Sequence, residues 1–220
     1  MSGENSKSIG PSLPGLLGDK DMILSEDNRV DPRIVKVLAP FGLDGAQPAS
    51  TIDHSSSLEE QLLFSSETES FFHQIDEFIT SSVVPIEGIE RSTEVIQGPD
   101  GNDIKLYIHK PANSSAAMPC IYHTHGGGMV ILQASMGVYS HWRDRLSAEG
   151  VVVVGVEFRN GAGALGEHPF PAGLSDCMAG LDWVYANKTP LGISKIVLSG
   201  ESGGGNLALA LTLRAKKRGS

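Results

Sequence analysis

The sequence predicts an α/β fold, a mostly parallel sheet flanked by helices, with a further helical segment ahead of it. Two observations carry this expectation. From Ser92 onward the hydrophobic period changes from that of a helix to that of a strand. After that point, short apolar runs at 119–122, 151–158 and 196–198 alternate with segments of helical period. Alternation of this kind builds a parallel sheet covered on both faces.

The elements follow in order. Residues 1–28 are rich in Ser, Gly, Pro and Asp without sustained periodicity, and read as a flexible leader. A helix then starts at Asp31, a good N-cap, with Pro32 at its first position and Ile34, Leu38 and Phe41 on one face. Ser57 and Glu60 are spaced as a capping box ahead of Leu62 and Leu63. Phe71, Ile75, Phe78 and Ile79 continue that helical spacing. The helices occupy 29–88, and the sheet-bearing core 89–220.

Val95 leads into Gly98-Pro99-Asp100-Gly101, a strong turn, and Ile104, Leu106 and Ile108 alternate beyond it, which makes a β-hairpin. The strand at 119–122 is followed by a helix marked by Val138, Trp142 and Leu146 and closed by Gly150. Residues 151–158, mostly β-branched, form a fully buried strand. Leu174, Met178, Leu181 and Val184 mark the next helix, ahead of the strand at 196–198. Residues 206–214 are apolar nearly all round and predict a buried helix, with Arg214, Lys216, Lys217 and Arg218 at its C-terminal end, where positive charge suits the dipole.

Composition narrows the partners. With 40% hydrophobic and 20% charged residues the chain is an ordinary globular one. A net charge of −9 argues against nucleic acid or an anionic membrane surface. No run is long enough to span a bilayer, and the N-terminus shows no signal-peptide core, so a cytoplasmic location is expected. Cys120 and Cys177 both sit in apolar patterns and read as buried thiols.

Two motifs carry chemistry. The first is Gly200-Glu201-Ser202-Gly203-Gly204, directly after a strand and before a helix. A serine on so sharp a turn exposes its hydroxyl in a strained conformation, and its neighbours two before and two after must be tiny. Taken alone, the run also fits a glycine-rich turn with a solvated serine. The second is His123-Thr124-His125-Gly126-Gly127-Gly128, at the end of an earlier strand. Acyl transfer builds negative charge on a carbonyl oxygen, and a glycine backbone can bring N–H donors against it unobstructed. A flexible loop is the plainer reading of this run. The two motifs support each other because their order and contexts are those of an ester hydrolase site. Two histidines with no accompanying Cys or carboxylate cluster make a poor metal site.

With these residues on the page, the chain resembles the hormone-sensitive-lipase-like esterases of the α/β-hydrolase fold. They pair a His-Gly-Gly-Gly loop with a Gly-Asp/Glu-Ser-x-Gly-Gly elbow. Glu167-His168-Pro169-Phe170-Pro171-Ala172 extends the match. The resemblance implies that Ser202 is the nucleophile and that Gly127, Gly128 and Gly203 supply the oxyanion N–H groups. It implies that the helices at 29–88 form a cap over the acyl pocket. The substrate would be a small to medium carboxylic ester, with no cofactor, since protein groups and water suffice. One departure is 159–166, glycine-rich where many members have a shorter link. It matches G-x-G-x-x-G, but Pro169 and Pro171 leave no room for the helix that a dinucleotide site needs.

Serine needs a base, and the base needs an orienting acid. In this fold both follow the nucleophile, yet all seven histidines precede Ser202. Of these only His125 and His168 fall near enough in the fold to be considered as substitutes. The 220 residues alone are therefore expected to be inactive, with the strand before Ser202 left as a bare, aggregation-prone edge. The alternative is a non-catalytic relative that binds a small ligand in the same pocket, or an inactive truncated product.

Overall fold

The computed structural model describes residues 22–45, 52–114 and 116–218. Most of the proposed leader, residues 1–21, lies outside them. The chain divides into two compact units, Met1–Asp53 and His54–Ser220.

In the first unit, a 3₁₀ turn at Leu24–Glu26 is followed by α1, Pro32–Leu38, and a second 3₁₀ turn at Ala39–Phe41. Asp31 caps α1 as its sequence predicts, accepting from Arg33 N–H at 2.9 Å. Among the described residues none of α1 is buried.

The second unit opens with α2, Leu58–Thr80, started by the predicted capping box. Ser57 N–H donates to Glu60 at 2.7 Å, and Glu60 N–H donates back to the Ser57 hydroxyl at 3.3 Å. Then come β1 (Ile89–Gln97), β2 (Asp103–Pro111), β3 (Met118–Thr124), α3 (Gly137–Ala148) and β4 (Val152–Glu157). These are followed by α4 (Ala172–Ala186), a short α5 (Lys188–Leu191), β5 (Ile193–Gly200) and α6 (Gly203–Arg218). The strand order is β1-β2-β4-β3-β5. β1 and β4 both pair antiparallel to β2, while β3 pairs parallel to β4 and to β5. The sheet is thus mixed, with β2 alone running against the other four.

The apolar core lies on one face, between the sheet and α4 and α6. Ile104, Leu106 and Ile108 of β2 meet Val152, Val154 and Val156 of β4, with Cys177, Val184 and Leu211 above them. The predicted buried strand is therefore confirmed, and both cysteines are free and buried. Burial pushes the Cys120 thiol up to about 12 and raises that of Cys177 well above the ordinary thiol range, which disfavours the thiolate at both.

On the other face lies α3, the helix that Val138, Trp142 and Leu146 mark in the sequence, and what it buries is polar. Its buried residues are Arg143, Asp144 and Ser147, while Trp142 is 36% exposed. Asp144 accepts from Arg91 at 2.8 and 2.9 Å and from the His109 ring at 2.7 Å. Gly155 interrupts the valine run because a Cβ there would stand 2.8 Å from the Arg143 guanidinium. α2 likewise forms as the spacing predicts, but it buries charge. Phe72, Phe78 and Ile79 are exposed, whereas Glu69 and Asp76 are buried beside Ile75. α6 is buried on one side only, through Leu207, Ala208 and Leu211; Leu209 and Leu213 are exposed. β5 is an edge strand of this sheet.

Candidate active site

β3 and β5 are parallel neighbours, so both motif loops leave the same end of the sheet side by side. Ser202 stands between the end of β5 and the start of α6 at φ +52, a left-handed conformation that a non-glycine residue holds only under constraint. The constraint is visible in the neighbouring glycines. A Cβ on Gly200 would lie 2.4 Å from the carbonyl group of Gly204, and one on Gly204 would lie 2.0 Å from the Thr124 carbonyl oxygen. A Cβ on Gly203 would fall 2.8 Å from Gly128 Cα. Two of the three backbone positions proposed for the oxyanion hole are thus in contact. Gly127 belongs to the same turn, at φ +95, its carbonyl accepting from Val130 and Ile131 N–H at 3.0 and 3.1 Å.

The residue between Gly200 and Ser202 ties the two loops together. Glu201 accepts from the His123 ring at 2.6 Å and from Gly126 N–H at 2.7 Å. Burial alone would raise its pKa, but the bonds from His123 and Gly126 outweigh it and hold the carboxyl below its ordinary range. His123 in turn packs against Trp142, ring centroids 4.4 Å apart. Trp142 of α3 therefore lies against His123 rather than in the apolar core.

Neither candidate substitute base addresses Ser202. His125 is fully buried and stacks on Phe158 at 4.2 Å. Its Nδ1–H donates to the Gly126 carbonyl at 2.8 Å, and its Nε2 stands 4.0 Å from Glu157. His168 lines a separate cavity of ≈ 380 Å³ with Asp100, Arg159 and Phe170. The glycine-rich stretch after β4 forms a three-residue 3₁₀ turn, Gly163–Leu165, not the opening of a helix.

Burial lowers the His125 pKa from 6.5 to about 4. The unfolded chain then takes up this proton before the folded one, so the contribution is complete above about pH 6.5 and is lost as pH falls towards 4. The loss is on the order of 3 kcal/mol. His109, also lowered chiefly by burial, acts in the same direction. Urea unfolding is expected to show clearly lower stability at pH 5 than at pH 7, and His125→Gln to flatten that slope. An unchanged slope in the variant would contradict the assignment of His125 as a buried neutral ring.

Residues 121–220 match the model of a family described as having the alpha/beta hydrolase fold. Brefeldin A esterase, described as a bacterial homologue of human hormone sensitive lipase, superposes with a TM-score of 0.86 at 41% identity, over 94% of this chain and 58% of that one. The chain has the α/β-hydrolase fold and is similar to esterases of that fold. The esterase Est22 superposes with a TM-score of 0.76 at 36% identity, over 90% of this chain and 59% of its own. Tuliposide A-converting enzyme 2, chloroplastic, from Tulipa gesneriana, is 30% identical over 64% of this chain and 40% of its own length. The chain spans less than two thirds of each of these relatives. Among the described residues no helix is long and apolar enough to cross a membrane.

The sequence reading singled out Ser202, Gly127, Gly128 and Gly203, and the fold brings all four to one place. It missed the work of Glu201, although the family elbow carries an acid at that position. It also missed Glu69 and Asp76, whose seven-residue spacing places them on one face of α2.

Proposed function

We propose that Ser202 is the nucleophile of a carboxylic ester hydrolase acting on small to medium esters through an acyl-enzyme. The observation that carries this reading is the strained φ of Ser202 on an elbow whose Gly203 backbone abuts Gly128 of the loop after β3. On this reading the Ser202 oxygen attacks the ester carbonyl. The N–H groups of Gly127, Gly128 and Gly203 stabilise the oxyanion, and the alcohol leaves with the proton taken from serine. Water then cleaves the acyl-serine by the same route. The base and its orienting acid are supplied from outside these 220 residues, and the chain alone does not turn over. Residues 29–88 are the cap in this proposal, and the location is cytoplasmic.

Hydrolysis of a series of p-nitrophenyl esters by the protein isolated from its source tests the reading. Turnover by that protein, with none beyond the residual level of a triad-less site from residues 1–220 alone, is the expected pair of results. A second reading, a non-catalytic binder of a small acid or ester, is favoured by one observation: neither His125 nor His168 is directed at Ser202. Binding of the ester without turnover by the isolated protein would select it.

A further inference from the structure

Two loops of the site meet at one buried carboxylate. Glu69, in the middle of α2, is 3% exposed. Its oxygens accept from the backbone N–H of Leu132 at 2.8 Å and of Ala164 at 2.6 Å. Leu132 ends the turn that carries Gly127 and Gly128, and it is held at φ +75. Ala164 belongs to the glycine-rich loop after β4, which is laced to that same turn. Gly161 N–H donates to the Met129 carbonyl and Ala162 N–H to the Val130 carbonyl, both at 2.9 Å. The Asn160 amide donates to the Leu132 carbonyl at 2.7 Å. Gly163 leaves room for the carboxylate, since a Cβ there would stand 2.4 Å from Glu69 Oε2. The glycine-rich departure of this sequence thus has a local physical purpose.

We propose that Glu69 is a positioning residue for the oxyanion hole. It pins the turn through Leu132 and the bracing loop through Ala164, so that Gly127 and Gly128 keep their place against Gly203. The proposal rests on the esterase reading of Ser202. Donors aimed at a developing oxyanion act only if they are already in place, and a displacement of about 1 Å costs on the order of 10²-fold in rate. A left-handed leucine persists only while its surroundings hold it there. Hydrogen bonds from two backbone N–H groups to a charged acceptor are of the stronger kind.

The same helix provides a control. Asp76, seven residues on, accepts from Gly137 and Val138 N–H at 2.9 and 2.7 Å, at the start of α3. Its chemistry is that of Glu69, but its bonds do not reach the 127–132 turn.

The test compares Glu69→Ala, Glu69→Gln and Asp76→Ala in the protein isolated at its native length. The readouts are kcat, KM, affinity for a trifluoromethyl ketone, Tm, and hydrogen exchange of the peptide covering 126–134. Glu69→Ala is expected to lower kcat about 10- to 100-fold with KM within about threefold. Ketone affinity should fall in step with kcat/KM, and the 126–134 peptide should exchange faster. Glu69→Gln, which keeps one acceptor, should lie between Glu69→Ala and wild type. Asp76→Ala should lower Tm while leaving kcat near that of wild type. Equal kcat losses in the two alanine variants, or unchanged exchange at 126–134 in Glu69→Ala, would overturn the proposal. A wild-type protein with neither turnover nor a reactive Ser202 refutes the esterase reading instead, and the exchange measurement still decides whether Glu69 holds the turn.

Discussion

Ser202→Ala is expected to abolish ester hydrolysis in the protein isolated at its native length, lowering kcat by at least about 10⁴-fold. The substitution removes only the hydroxyl that forms the acyl-enzyme. Alanine tolerates the turn about as well as serine does, and neither favours φ +52. The fold should therefore survive, with Tm close to that of wild type and ester binding largely intact. A variant that keeps even a tenth of the activity would place the nucleophile elsewhere. A variant that loses activity only because it no longer folds would be exposed by its melting curve.

Gly204→Ala is expected to have the largest effect on stability. The added Cβ would lie 2.0 Å from the Thr124 carbonyl oxygen and 2.5 Å from that of His125. Both obstacles are backbone of β3 and the residue after it, so no rotamer change relieves them. Either α6 moves away from the sheet or the loop after β3 shifts. Overpacking a well-fitted site costs about 1–3 kcal/mol, and a clash of backbone with backbone falls at or beyond the upper end. Gly205→Ala, one residue along, meets only the Gly200 carbonyl oxygen at 3.1 Å and gains helix propensity, so it should be near neutral. Denaturant midpoints of the two variants measure the contrast. Equal midpoints would mean that the elbow is looser than its geometry indicates.

The elements and the loops of the candidate site were largely legible in the sequence because each rests on a local signal. Caps at Asp31 and Ser57, the turn at 98–101, the β-branched run at 151–156 and the two glycine motifs are all read within a few residues. What stayed hidden depends on distant partners. Trp142 looks like a core residue by spacing, but it packs on His123 from β3, while Arg143 and Asp144 take the buried face. A buried charge is tolerable only when donors or counter-charges converge on it. For Asp144 these come from Arg91 and His109, far away in the chain. For Glu69 they are backbone groups of two loops, which no periodicity can announce. The half-exposed α6 shows the converse. An all-round apolar helix predicts burial, but burial also requires a neighbour on each side.

The central claim is that Ser202 is an activated nucleophile, and a fluorophosphonate probe tests it most directly. The protein isolated from its source is treated with the probe, digested, and the modified residue located by mass spectrometry. The account predicts rapid, stoichiometric labelling of the peptide carrying Ser202, abolished in Ser202→Ala. Labelling at another residue, or none at Ser202 in a protein that hydrolyses esters, would contradict it.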